Sequence, residues 1–232
     1  MKTRAREELT ETSAAQAVDG LSRALLERLA LYYQIATRLG EEGRETVSSA
    51  NLANLLGVDP TLVRKDMAVV NITGRPKVGY SVANVVRQLD AVLGLSNRKD
   101  AILIGCGHLG SAIAAYPGFA QYGLKITAAF DIDHVKVGQS VGERLILPME
   151  KCSSIIEIFR IEIAILTVPA GAAVEIANWL VKKGIRAIWN FSPVQLRVPN
   201  GVVVRNENLA QGLAQLIHRL KEVKGLDKPM PD

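Results

Sequence analysis

Apolar residues recur at helical spacing through the first hundred positions and then gather into short, almost unbroken runs. Leu25, Leu26, Leu29, Tyr32, Ile35 and Leu39 share one face of a helix predicted over 21–39, which Gly40 and Gly43 end. Val47 suits a short strand. Ser48 or Ser49 caps a second helix that runs through Leu56 and stops at Gly57. Asp59-Pro60 opens a third, over 61–70: the carboxylate can accept from unpaired helical N–H groups, and proline fits the first helical position. Residues 71–80 read as a short hairpin, and 82–93 as a helix closed by Gly94. Beyond residue 100 the period changes. Strands are predicted over 101–104, 125–130, 144–147, 162–167, 186–191 and 202–205, alternating with helical stretches, one of them over 111–122. Strands that are apolar throughout imply a parallel sheet covered on both faces. The last element, over 207–224, carries a stripe of Leu209, Leu213, Leu216, Ile217, Leu220 and Val223. It follows the completed sheet, so the stripe needs another surface, either on its own domain or on a second subunit.

This pattern divides the chain into a loose tail over 1–18, a winged-helix unit over 19–94 and a polar connector over 95–100. A Rossmann unit over 101–205, a terminal helix over 206–224 and a tail over 225–232 follow. The expected class is α/β: a mainly helical winged helix-turn-helix domain joined to a parallel-sheet domain. A chain of 232 residues, 48% of them hydrophobic, has ample material for two cores. The formal net charge of +5 permits a polyanionic partner without demanding one. Two cysteines, Cys106 and Cys152, are too few for a disulfide framework or a zinc site and suit a reducing compartment. Lys2, Arg4, Arg6, Glu7 and Glu8 precede no apolar core, so no secretory signal is expected. The long apolar stretch over 161–181 is interrupted by Glu162, Pro169, Gly171 and Glu175, which excludes a membrane span there. A cytoplasmic protein without membrane contact is the expectation.

The chemistry concentrates where the first strand of the sheet ends. Residues 105–110 read Gly105-Cys106-Gly107-His108-Leu109-Gly110, with a strand before and a helix after, the arrangement of a dinucleotide-binding turn. Gly105 permits the tight turn, Gly107 a close approach to pyrophosphate, and Gly110 helix packing on the strand. The helix start offers N–H groups and a positive dipole end. Asp131, at the end of the second strand, can accept from both adenosine ribose hydroxyls and repels a 2′-phosphate. Ile132 follows where an NADP site often has Arg, so NAD(H) is preferred to NADP(H). Read blandly, Asp131 is an acidic turn residue. Cys106 meets the need for a small residue in the turn, the alternative being a reactive thiol.

A second constellation lies near the N-terminus. Arg64 and Lys65 sit on the third helix, and Arg75 and Lys77 at the tip of the following hairpin, where a wing can reach a minor groove or phosphates. The helix cations alone fit a solvated face equally well; their clustering with the wing cations favours DNA. An enzyme is not expected. His108, His134 and His218 all fall away from the carboxyl ends of the fourth and fifth strands, where a nicotinamide would lie. Those ends carry Thr167-Val168-Pro169 and Asn190-Phe191-Ser192-Pro193, which can hold a ring but supply no proton shuttle. Neither a catalytic residue nor a metal set is assigned. A small oxidoreductase and a nucleotide- or CoA-binding module are the competing readings.

Several segments are more specific than the glycines. Ser48-Ser49, Val63-Arg64-Lys65-Asp66, Val78-Gly79-Tyr80, Tyr116-Pro117-Gly118-Phe119, Phe130-Asp131-Ile132-Asp133, Lys136-Val137-Gly138 and Asn190-Phe191-Ser192-Pro193 accompany the glycine turn. With them the chain resembles the redox-sensing transcriptional repressor family Rex over about 21–224. The resemblance implies a homodimer in which the terminal helix of one subunit is swapped between the two domains of the other. It implies repression at a palindromic operator and release by NADH, so that the NADH/NAD⁺ ratio is sensed. It adds Cys106, His108, Leu109, Tyr116, Ile132, Thr167, Val168, Pro169, Asn190 and Phe191 to the coenzyme residues. To the DNA residues, within a helix-turn-helix region over 32–71 and its wing, it adds Ser48, Ser49, Thr61 and Tyr80. Two departures stand out. Residues 67–77 differ from the usual glycine-rich, aromatic pattern, with Pro76-Lys77 where Arg-Gly is usual. Gln34 and Asn208, near Tyr116, replace a usual Arg–Asp pair.

Overall fold

The computed structural model describes residues 21–226, the side chains of Leu209 and of 222–226 excepted. The chain divides between Asn97 and Arg98 into two compact units. The tail expected over 1–18 lies outside the described residues; of the one expected over 225–232, residues 225–226 continue the terminal helix and 227–232 lie outside the described residues.

In the first unit, α1 (Arg23–Glu41) begins at Ser22, whose hydroxyl accepts from the Leu25 N–H. β1 (Thr46–Val47) leads into α2 (Ser49–Leu56), capped by the Ser48 hydroxyl. Gly57, left-handed at φ 67°, turns the chain into α3 (Pro60–Val69), capped by Asp59 with proline in the first turn. The sequence thus places both helix starts correctly, because caps are local hydrogen bonds. β2 (Tyr80–Ser81) pairs antiparallel with β1, and α4 (Val82–Leu93) follows. Leu29, Tyr32, Ala36, Leu52, Val63, Met67, Val85 and Leu89 are completely buried and form the core of this unit. Burying each large apolar side chain contributes roughly 1.5–3 kcal/mol.

The expected hairpin over 71–80 is smaller than anticipated. A single antiparallel bridge joins Arg75 to Gly79. Inside it, the Val78 N–H donates to the Arg75 carbonyl at 3.2 Å, around Pro76 and a left-handed Lys77 at φ 63°. The strand after the wing pairs across to β1, because Gly79 has no side chain: a Cβ there would lie 2.4 Å from the Val47 carbonyl oxygen.

The second unit is a seven-stranded sheet in the order β5-β6-β4-β3-β7-β8-β9. Its strands are β3 (Lys99–Ile104), β4 (Leu124–Asp131), β5 (Ser140–Val141), β6 (Arg144–Pro148), β7 (Ile163–Leu166), β8 (Ala187–Asn190) and β9 (Val203–Asn206). All pairings are parallel except that of the short β5 with β6, an edge hairpin the sequence pattern did not reveal. Helices α5 (His108–Ala115), α6 (Cys152–Phe159) and α7 (Ala170–Lys182) connect the strands. One apolar cluster includes Phe130, Ile156, Ala173 and Leu180, another Leu103, Ile113, Ala129 and Ile165.

The helix expected over 111–122 is two elements. α5 starts earlier, at His108, and ends at Ala115; a 3-10 helix, Pro117–Tyr122, follows. Pro117 disfavours a helical residue before it, and Tyr116 is extended at ψ 115°. The terminal helix, α8 (Leu209–Leu226), starts two residues later than expected. The side chains of Leu209 and Val223 in its stripe lie outside the description. Leu213, Leu216, Ile217 and Leu220 are 47–65% exposed.

Candidate coenzyme crevice and nucleic-acid face

The sheet order reverses beside β3: its chain continuation leads to β4 on one side, and β7 lies on the other. Ligands of open parallel sheets bind at the carboxyl ends of the strands flanking such a reversal. The glycine turn is at that point. Gly105 takes φ 95°, and a Cβ on it would lie 2.8 Å from the Thr167 carbonyl oxygen. A Cβ on Gly110 would lie 1.9 Å from the Gly105 carbonyl oxygen. Both glycines are therefore demanded by the chain's own packing. Gly107 is different. Its backbone is ordinary, at φ −73°, and a Cβ there would meet nothing within 4 Å. It opens α5 without any side-chain cap, so the N–H groups of the helix start face open space that an anion could fill. α7 likewise starts at Pro169 without a side-chain cap.

Asp131, at the end of β4, is 7% exposed. Its Oδ2 accepts from the Cys106 N–H at 2.7 Å and from Lys136 Nζ at 3.2 Å, and its Oδ1 accepts from the Asp133 N–H at 2.9 Å. Burial alone would raise this carboxyl, but the N–H groups of Asp133 and Cys106 and the Lys136 ammonium outweigh it and hold it below the ordinary carboxylate value. Lys136 is raised in turn, chiefly by its bond to Asp131. Asp131, expected to accept from both ribose hydroxyls, also bonds within the chain. Three of its roughly four acceptor positions are already filled. Lys136 was absent from the expected site, although the segment Lys136-Val137-Gly138 was among those that carry the resemblance and it follows Asp131 by five residues.

Cys106 is buried, and burial, reinforced by the Asp131 charge, pushes its thiol up to about 11. The alternative of a reactive thiol is thereby set aside: at neutral pH almost no thiolate forms. His108, Leu109, Ile132 and Pro169 are exposed around the crevice, while Val168 is buried against the turn. Thr167 Oγ1 lies 2.6 Å from the Gly105 carbonyl oxygen, to which it can donate. Asn190 is completely buried. Its Nδ2 donates to the Val194 carbonyl and to Asn206 Oδ1, each at 2.8 Å, and its Oδ1 accepts from the Ser192 N–H at 2.9 Å. Through these bonds Asn190, expected beside the ligand, supports the loop after β8. Phe191 belongs to a row of rings: Tyr116 to Phe119 at 4.9 Å, Phe119 to Trp189 at 5.4 Å, and Trp189 to Phe191 at 4.8 Å. Tyr116, 58% exposed, ends that row. Asn208 uses its side-chain oxygen to accept from the Ala210 and Gln211 N–H groups at the start of α8.

On the first unit, α2 and α3 bring Ser49, Thr61 and Arg64 together. The Arg64 guanidinium donates to Thr61 Oγ1 at 3.0 Å and to Ser49 Oγ at 3.4 Å. Ser48 caps α2 and also donates to Asn51 Oδ1 at 3.0 Å. Lys65, Arg75 and Lys77 are exposed. Tyr80, expected at the DNA surface, is only 7% exposed. Its ring packs under Gly74 and supports the wing from within. Asp66, beside the two helix cations, is also buried, and it is fully engaged. Arg28 donates to it through Nε at 2.7 Å and Nη2 at 2.8 Å, and the Tyr32 hydroxyl donates at 2.9 Å. Its carboxylate pins α3 to α1, a role that adjacent charges in the sequence gave no sign of. Burial and the bond to Asp66 both raise the Tyr32 hydroxyl, which stays protonated.

Together these features define a two-unit protein that joins a winged helix-turn-helix to a dinucleotide-binding sheet. Residues 20–68 match the family described as putative DNA-binding protein N-terminus, and residues 96–194 match the CoA binding domain family. The chain is 39% identical over 189 residues to the redox-sensing transcriptional repressor Rex of Treponema denticola, covering 82% of this chain and 90% of that one. It is 37% identical over 200 residues to the Rex of Desulforamulus reducens, with 86% and 95% covered. Among solved structures, RSP, a Rex-family repressor, in complex with β-NADH has a TM-score of 0.80 at 32% identity, over 91% of this chain and 99% of that one. RSP with β-NAD⁺ and operator DNA also gives 0.80, over 90% and 99%. The chain belongs to the redox-sensing transcriptional repressor Rex family.

Proposed function

We propose that this chain is a transcriptional repressor that binds a palindromic operator as a homodimer and is released by NADH. The observation that carries the reading is the glycine turn. Gly107 leaves open space over an uncapped helix start that lies beside the Asp131 carboxylate. Pyrophosphate takes the α5 N–H groups, and a ribose hydroxyl takes the remaining acceptor position of Asp131 or displaces Lys136. The carboxylate disfavours a 2′-phosphate and a 3′-phosphate alike, which supports NAD(H) over NADP(H) and over CoA. Cys106, His108, Leu109 and Ile132 border the adenosine and phosphate portion; Thr167, Val168, Pro169 and Phe191 border the nicotinamide portion.

Arg64, Lys65, Arg75 and Lys77 meet the duplex, with Ser48, Ser49 and Thr61 beside them. The exposed stripe of Leu213, Leu216, Ile217 and Leu220 supports a second subunit as its cover. Among the described residues, no helix is long and apolar enough to cross a membrane. We place the protein in the cytoplasm, where both DNA and the NADH pool reside. The test is fluorescence anisotropy on a labelled palindromic duplex at fixed salt, titrated separately with NADH and NAD⁺. NADH should release the duplex at concentrations where NAD⁺ does not. Equal effects of the two coenzymes overturn redox discrimination.

A further inference from the structure

The carboxyl edge of the sheet is tied together by a continuous row of bonds that ends at the terminal helix. Thr167 Oγ1 meets the glycine turn at the Gly105 carbonyl, 2.6 Å away. The Phe191 N–H donates to the Leu166 carbonyl at 2.8 Å, and the Glu207 N–H donates to the Asn190 carbonyl at 2.8 Å. Asn190 and Asn206 are register partners at the ends of β8 and β9, and their amides bond at 2.8 Å. Trp189 Nε1 donates to Glu207 Oε1 at 3.2 Å, and Arg205 Nε donates to the same oxygen at 2.7 Å. One residue later Asn208 begins α8. Trp189 is therefore held from two sides. Its ring is packed 4.8 Å from Phe191, on the loop expected to meet the nicotinamide, and its N–H is bonded to the residue that launches the terminal helix.

We propose that Trp189 and Glu207 are positioning residues that transmit the state of the nicotinamide loop to the terminal helix. This rests on the reading of the chain as an NADH-released repressor. A ligand that shifts Phe191 must move or reorient the Trp189 ring, because the three rings of Phe119, Trp189 and Phe191 are in contact. The indole N–H then pulls on, or releases, the Glu207 carboxylate. A half-buried bond of this kind costs more to leave unmade than an exposed one, so the two ends move together. Coupling between ligand and operator is a free energy shared by both sites, and this bond is part of its physical path.

The experiment uses the full chain and two independent variants. Trp189→Phe keeps a ring but removes the N–H; Glu207→Ala removes the acceptor. NADH binding is measured by calorimetry, and operator affinity by anisotropy with and without saturating NADH. In each variant the ratio of the two operator affinities should fall by about threefold or more towards unity, while the NADH dissociation constant stays within about twofold. The double variant should lose no more of that ratio than either single one, which a merely structural weakening would not produce. Glu207→Gln, which retains a carbonyl acceptor, should restore most of the response. Variants that bind NADH and respond like the parent overturn the link alone. A parent chain whose operator affinity ignores NADH overturns both the link and the reading beneath it.

Discussion

The glycine turn and the exposed cations of the winged helix are both candidate sites, but they are held in opposite ways. Around the turn, several polar groups are already bonded within the chain: Cys106 N–H, Asp131, Asn190 and Asn206 all have internal partners. Two of the three glycines are required by backbone atoms less than 3 Å away. On the winged helix the cations are exposed, and what is fixed lies beneath them: Asp66 with Arg28 and Tyr32, and Tyr80 under Gly74. A site that recognises one small molecule needs a rigid frame with one opening. A surface that follows a phosphate backbone needs long side chains on a firm support.

The largest effect should come from the support. Asp66→Ala leaves the part-buried Arg28 guanidinium and the buried Tyr32 hydroxyl without their shared partner, and leaving such groups unpaired costs about 1–3 kcal/mol each. Urea denaturation should show that loss in the winged-helix unit, whereas NADH affinity measured below the transition should be kept. A matched loss of NADH affinity would mean that the two units are not independently supported.

Next come the glycines. Gly110→Ala forces a methyl to within 1.9 Å of a backbone oxygen unless the turn moves, so NADH affinity should fall by at least about tenfold, or 1.4 kcal/mol, together with thermal stability. Gly107→Ala meets no chain atom and should leave the melting temperature within a degree or two while still weakening NADH. If both substitutions reduce stability equally, the distinction between packing glycine and ligand glycine is lost.

Replacing Arg64 and Lys65 by Ala together should reduce the slope of log affinity against log salt by about 3.6, from two lost phosphate contacts on each subunit of the dimer, and leave NADH binding unchanged. An unaltered slope would remove these residues from the backbone contacts and leave the wing cations to account for them.

The smallest effect is in acid. The folded state holds Asp131 below the ordinary carboxylate value, so its contribution to stability is complete above that value and is lost as pH falls through the lower folded one. Asp131→Asn should therefore destabilise the chain at neutral pH, and the gap between parent and variant melting temperatures should close only at strongly acid pH. A gap independent of pH would separate its role from charge.

How far each region could be read in the sequence follows the same contrast. Helix starts at Ser48 and Asp59 were legible because a cap spans three or four residues. The glycine turn was legible because its spacing reflects steric demands within six residues. The break at Tyr116, the edge strand β5, the burial of Tyr80 and the internal bonds of Asn190 were not. Each depends on a neighbour distant in the chain or on a proline effect weighed against helical periodicity.

The order of residues by itself determined the alternation of elements, the two units and the position of the glycine turn, since local hydrogen bonds and apolar periodicity act over short spans. Only the folded chain decided that Lys136 shares Asp131, that Asp66 joins α3 to α1, and that Trp189 reaches Glu207. Those pairings bring together side chains that the backbone path separates, and their energies exist only once burial has excluded water from around them.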